Sequence, residues 1–354
     1  MARVVVHGAG AVGASVVYHL ALLGARDVVL TDVGRVGGGS TAKAMGGIRQ
    51  QFSTAPEVLL ARESIRFFEE LAPELFHQVG YLFLATSAEG LTELRRRAEV
   101  QSELGVPIEG FGPERLAELA PGVRRDDVLG GVVCFEDGVS DPPAVTRELV
   151  RRAADLGVEV RERTRGEDVP GELRVIACGA WSAEAAAVYG VELPVRPLCR
   201  QLFEATPIEG LPERLPMVLE TETGFHFRRR GDSLRVAMAD PQPRWGFEET
   251  VDESVLPDRL ARLVHRFPGA AGAGVESAWA GLYDMTPDAH PIVGPIGPGL
   301  YAACGFSGHG FMQSPAVGRA LAEVLIEGSS SLDLAAYGLE RFAAGTAFPE
   351  EVVL

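Results

Sequence analysis

Lysine is almost missing from this chain. Of 33 Lys and Arg residues among 354, Lys43 alone is a lysine, so chemistry that requires a lysine anywhere else is excluded. Positive charge is also scarce: 49 Asp and Glu leave a formal net charge of −16, which opposes binding to phosphate backbones, whose protein partners draw affinity from cationic side chains. No nucleic-acid partner is expected. The four cysteines, Cys134, Cys178, Cys199 and Cys304, are far apart and form no Cys-x-x-Cys pair. Neither a disulfide framework nor a metal site is indicated, and buried, inert thiols are the expected state. Long apolar runs are absent too. Val28–Leu30 and Val132–Phe135 are strand-length, far below the ~20 residues of a membrane helix, so no membrane span is expected. The N-terminus enters a strand at once without a signal-peptide layout, and a cytoplasmic location is the expectation.

What is present is a soluble composition, 46% hydrophobic and 23% charged, on a chain long enough that two lobes are expected rather than one core. The first thirty residues read strand, glycine turn, helix, strand: Arg3–His7, a helical apolar pattern over Ala11–Leu23 ended by Gly24, then Val28–Thr31. Gly8-Ala-Gly10-Ala-Val-Gly13 fills the turn, and Asp32 follows nineteen residues beyond Gly13. Each part has a physical role: Gly8 allows the tight turn, Gly10 lets a pyrophosphate approach the backbone, and Gly13 permits close helix packing. The helix start offers free N–H groups to the phosphates, and Asp32 accepts hydrogen bonds from the adenosine ribose. The motif predicts dinucleotide binding without choosing between FAD and NAD.

Further along, Thr-Ala-Pro-Glu predicts a capping box, Thr54 with Glu57, opening a helix that runs to about Leu71. Strand character from Val79 and the amphipathic stretch Leu91–Leu104 suggest a second lobe. Asp141 caps a helix with proline just inside its start, marking a return to the first lobe. From about Pro194 to Ala239 alternating residues and turns read as antiparallel sheet, and a helix is expected over about Ser314–Ile326. The lobes are therefore read as interleaved: 1–78, 139–193 and 276–354 in the nucleotide-binding domain, 79–138 and 194–275 in the other.

Three segments, the glycine unit followed by "GGGSTAKAMGGIRQQFS", then "CGAWS" with "PVRPLCRQ", then "GLYDMTPDAHPIVG" with "GFSGHGFMQSPAVGRALAEVL", resemble the D-amino-acid oxidase superfamily, in particular its sarcosine oxidase branch and related amino-acid dehydrogenase subunits. The resemblance implies an α/β (α+β) fold, a Rossmann-like FAD-binding domain interleaved with an antiparallel-sheet substrate domain. It also implies bound FAD and oxidation of the C–N bond of a small amine or amino acid, with O2 or another acceptor taking the electrons. Gly179 and the glycine-rich exit Gly305, Gly308, His309 and Gly310, leading into Phe311 and Met312, are then expected against the cofactor. A helix start there favours the negative charge of a reduced flavin.

By the same resemblance, Ser40 and Thr41 are placed to hydrogen-bond pyrophosphate, and Arg49 matches an arginine that grips the substrate carboxylate with its planar fork. Lys43 faces phosphate, flavin or solvent. His226 stands where relatives often carry a tyrosine; it is the candidate polar group and proton acceptor of the substrate pocket, or else an ordinary sheet histidine. Three departures follow. Gly281 replaces the cysteine of covalent-flavin members, so FAD is expected to be noncovalent. Met312 replaces a second carboxylate-binding lysine, and Arg235 replaces a lysine that promotes reaction with O2, which leaves oxidase and dehydrogenase both open. A different class remains beside the enzyme: a flavin-binding assembly or scaffold protein, or a partner subunit without amine turnover. A tRNA-modifying flavoprotein is opposed by the acidic charge, and a nicotinamide dehydrogenase does not explain "GFSGHGF".

Overall fold

The structure, a computed structural model, describes residues 2–71 and 73–352. Two large sheets organise it. The first has six strands, ordered Ile292–Gly297, Leu300–Cys304, Leu173–Ile176, Val4–His7, Val28–Asp32 and Glu159–Glu162. Every pairing is parallel except Ile292–Gly297 with Leu300–Cys304. Val4–His7 sits centrally and is buried throughout, which accounts for its run of three valines. Helix Ala11–Leu22 follows the glycine turn, and helices Pro142–Asp155 and Gly310–Glu327 pack against it. The contact with the last helix is close: a Cβ on Gly318 would lie 2.2 Å from Ser15 Oγ.

The second sheet has nine strands and is antiparallel except where Tyr81–Ala85 meets Met217–Glu220. Its core is rich in phenylalanine, with Phe203, Phe225, Phe227 and Phe267 buried together with Leu234 and Val236. A small sheet of Gly47–Ile48, Gly138–Ser140 and Phe76–His77 joins the regions between them. The mixed α/β architecture with one parallel and one antiparallel sheet is the one expected. No helix among the described residues is long and apolar enough to cross a membrane.

Helix boundaries fall close to the pattern: Ala11–Leu22, Ala55–Leu71 and Ala88–Glu103. Asp141 caps the helix Pro142–Asp155, accepting from the Ala144 N–H at 2.9 Å. The last helix starts four residues earlier than expected, at Gly310. One local expectation fails. Thr54 and Glu57 form no capping box: the Thr54 hydroxyl has no partner, while the Glu57 carboxylate turns inward to His290, at 2.8 Å, and to Gln313. A buried polar partnership outcompetes a local one. Strand Val275–Met285, which the sequence pattern assigns mostly to the nucleotide-binding domain, pairs along its length with Arg196–Ala205 in the antiparallel sheet.

Candidate active site

A cavity of about 840 Å³ runs from the ends of the parallel strands to the face of the antiparallel sheet. At the parallel-sheet end the glycine turn makes its floor. Gly8 adopts φ +99, and a Cβ there would meet Ala177 O at 2.2 Å, whereas at Gly10 a Cβ would meet only Thr41 Oγ1, at 3.2 Å. The backbone is thus bare where a phosphate group must approach. Asp32 closes this end. Its carboxylate accepts the N–H groups of Ala9 (2.7 Å) and Gly34 (2.6 Å), which fixes it at the cavity rim. Thr41 Oγ1 accepts the Ala11 N–H at 3.2 Å, and its own proton remains available to a ligand. Ser40 donates to Leu282 O at 2.7 Å, so its hydroxyl offers a ligand an acceptor rather than a donor.

Gly179, Gly308, His309, Gly310, Phe311 and Met312 all line the middle of the cavity. The helix Gly310–Glu327 begins there with no side-chain cap, so the first N–H groups of its opening turn and its positive end face the space. Gly308 must be glycine for a second reason: the ring of Tyr283 lies 2.3 Å from where its Cβ would stand. The His309 ring turns away from this middle region toward Arg49. Burial, then the Arg49 charge, holds it well below the usual imidazole range.

Two of the expected cofactor residues do not line the cavity. Gly13 lies under the turn, where a Cβ would meet Gly8 O at 1.9 Å. Gly305 lies behind the wall, at φ +74 against Thr286, and its N–H donates to the Asp284 carboxylate at 2.7 Å. Both shape the site from outside because the chain must pass closely there.

At the antiparallel end the cavity is lined by Arg49, Tyr81, Arg200, Met217, His226 and Tyr283. His226 donates from Nδ1 to Gly224 O at 2.8 Å, which leaves Nε2 as the acceptor. Burial, then the positive charges of Arg49 and Arg259, lowers its pKa to about 4, so the ring is neutral at physiological pH. Lys43 is ion-paired with Glu249, and its stem packs where Gly281 has no Cβ, 3.0 Å away.

Arg49 is wholly buried. Its guanidinium donates to Gln51 O, to Val352 O at 2.8 Å and to His309 Nε2 at 3.3 Å, and it lies 4.0 Å over the Phe52 ring. It borders the cavity but presents no free fork. The neighbouring glutamines explain the Arg-Gln-Gln run. Gln50 N–H and Gln51 Nε2 each donate to Asp137 at 2.9 Å, and Gln51 Nε2 also reaches Tyr81 O at 2.9 Å, pinning the loop to the antiparallel sheet. Arg235 does not line the cavity; it pairs with Glu204 at 3.1 Å and stacks 4.8 Å over Trp279.

Arg200 and Tyr283 were not among the residues singled out from sequence. One signal was available: Leu198, Arg200 and Leu202 alternate on one face of a strand, so the arginine interrupts an apolar stripe.

The residues present fit a flavin dinucleotide. A glycine cradle and fixed carboxylate suit the ADP half, and an uncapped helix start faces the middle of the cavity, where the ring system would lie. The sequence profile of the FAD dependent oxidoreductase family matches residues 3–324. The 4-methylaminobutanoate oxidase (formaldehyde-forming) of Paenarthrobacter nicotinovorans is 28% identical over 96% of this chain and 46% of its own, so the chain spans about half of that relative. FAD-dependent oxidoreductase domain-containing protein 1 of Bos taurus is 31% identical over 99% of this chain and 87% of its own. Among solved structures, L-proline dehydrogenase from P. horikoshii superposes with a TM-score of 0.91 at 27% identity, covering 97% of this chain and 98% of that one.

Proposed function

Because this chain belongs to the FAD dependent oxidoreductase family, we propose that it oxidises the C–N bond of a small amino acid or N-methyl amine, with FAD held noncovalently. One observation carries the reading: a single cavity joins the dinucleotide cradle to a compact polar end lined by His226, Tyr81, Tyr283 and Arg200. The relatives named for 4-methylaminobutanoate and L-proline act on substrates of this kind. Bound FAD supplies the two-electron acceptor for the hydride of the substrate α-carbon.

The chain's own residues would set the substrate. Neutral His226 accepts an N–H of the amine at Nε2 and orients it. The positive charges of Arg49 and Arg200 favour the unprotonated amine, the form that can react, over the ammonium whose ordinary pKa is near ~10. Tyr81 and Tyr283 close the pocket; burial raises both phenols, so they remain neutral donors. Gly281 supports noncovalent attachment because it offers no side-chain atom to bond the cofactor.

The test is an anaerobic visible spectrum of the FAD-loaded protein before and after glycine, sarcosine, proline and D-amino acids. Bleaching of the flavin band by one of them is expected. A yellow protein that no amine bleaches would refute the enzymatic reading and leave a non-catalytic flavin-binding role, and a protein that cannot be loaded with FAD would refute both.

A further inference from the structure

Three cationic side chains line the substrate end of the cavity, Lys43, Arg49 and Arg200, and the terminal nitrogens of two of them are already taken. Glu249 neutralises Lys43. Carbonyl oxygens and the His309 ring occupy both terminal nitrogens of Arg49, which is fully buried and leaves only its Nε without a partner. Arg200 is different. Among the described residues its guanidinium makes no hydrogen bond or ion pair, and its Nε is buried without a partner. The carboxylate of Asp240, which follows a strand of the same sheet, is taken by Arg244, at 3.1 Å, and by Arg259. A guanidinium keeps its charge at every physiological pH, and one held in a cavity wall without an anion is costly unless a ligand brings the anion.

The sheet aims it. Arg200 pairs with Gly281 across the ladder, and Leu198 pairs with Tyr283, so Arg200 and Tyr283 are diagonal neighbours. The Arg200 guanidinium carbon lies 5.5 Å from the Tyr283 ring centroid. Opposite it, residue 281 has no side chain, and the stem of Lys43 packs in the space a Cβ would take. We infer that Arg200, rather than Arg49, seats the carboxylate of the substrate, with the Tyr283 hydroxyl as a second donor, and that it selects amines bearing a carboxylate. Arg49 is a positioning residue that ties the loop to His309 and the segment at Val352. This assignment rests on the proposed amine chemistry for its substrate, but not for its test.

The test uses propanoate, a carboxylate without an amine, titrated into the FAD-loaded protein and followed by calorimetry and by the flavin band. Wild type is expected to bind it saturably, and Arg200→Ala to weaken that binding about ten-fold or more with FAD content unchanged, since a charge-assisted pair is lost. Arg200→Lys should recover part of it. In turnover, Arg200→Ala should raise the KM for proline about ten-fold or more beyond any change in that for pyrrolidine, its carboxylate-free analogue. Equal propanoate affinity in wild type and Arg200→Ala overturns the assignment. So does loss of FAD from Arg200→Ala, which would give the residue to the cofactor, and so does a wild type that binds no propanoate. If no amine bleaches the flavin but propanoate binding still depends on Arg200, the proposed reaction fails and the anion seat stands.

Discussion

The Tyr283 ring occupies the space beside Gly308 so completely that a Cβ there would fall 2.3 Å from it. Two segments far apart in sequence thereby set each other's position, one carrying a cavity-lining phenol and the other the start of the helix that faces the cofactor space. Gly308→Ala must therefore either displace the ring or move the helix start, and its φ of +97 adds backbone strain of about 1–3 kcal/mol. We expect a folded protein with FAD affinity reduced about ten-fold or more and a lower melting temperature, read by flavin fluorescence on dilution and by thermal unfolding. Unchanged affinity would mean that Tyr283 yields freely.

A deeper glycine should be less forgiving. At Gly13 the obstacle is a backbone oxygen, Gly8 O, 1.9 Å from a Cβ, with no flexible side chain to give way. Gly13→Ala is expected to purify without the yellow colour and to regain none with excess FAD. A yellow Gly13→Ala protein would show that the turn can shift by more than an ångström.

Gly8, Gly10 and Gly13 were legible in the sequence because their reasons are local: a turn, a helix start and a strand within some thirty residues. Asp32 and the helix at Asp141 were legible for the same reason, since a cap or an acid at a strand end is a short-range pattern. What was not legible depends on pairing at a distance. Glu57 looks like the third residue of a capping box, yet its carboxylate is claimed by His290, more than two hundred residues away. Arg49 looks like a free guanidinium in a glycine-rich loop, yet the backbone at Val352 closes over it. Arg200 gained its place from a ladder to residue 281 that no local pattern announces.

Asp137 anchors the Arg-Gln-Gln loop, and the anchor titrates. Burial raises its carboxyl to about 7, far above the ~3.9 of an unfolded aspartate. A raised folded-state value means that its stabilising contribution is whole below the unfolded value and is lost as pH rises through about 7. Relative to Asp137→Asn, wild type should therefore lose stability between pH 5 and 8, by at most about 1.4 kcal/mol per pH unit. Urea unfolding of both proteins at pH 5, 6.5 and 8 reads this. A gap that moves in favour of wild type with rising pH would contradict the assignment.

His226 carries a pH prediction of opposite kind. Its pKa of about 4, set first by burial and then by the charges of Arg49 and Arg259, puts its titration below the working range. The rate of anaerobic flavin bleaching should show no inflection near ~6.5, the ordinary imidazole value. Any inflection at higher pH, belonging to the substrate amine, should remain in His226→Gln. An inflection between pH 6 and 7 that disappears in that variant would make His226 the base.

The electron acceptor follows from where one charge is absent. A fixed cation beside a reduced flavin stabilises the superoxide that develops when oxygen takes an electron. Arg235, which stands where the resemblance expects an oxygen-promoting lysine, pairs with Glu204 and stacks on Trp279 outside the cavity. Lys43, which lines the same cavity, is neutralised by Glu249. Oxygen should therefore react slowly, and an artificial dye or quinone should reoxidise the flavin at least about ten-fold faster in stopped flow, a difference of roughly 1.4 kcal/mol in barrier. Replacing the partner, Glu249→Gln, frees the Lys43 charge and should raise the oxygen rate while leaving the dye rate in place. Rapid oxygen consumption by the wild-type protein would show instead that the uncompensated charge of Arg200, or the helix start at Gly310, suffices for the task.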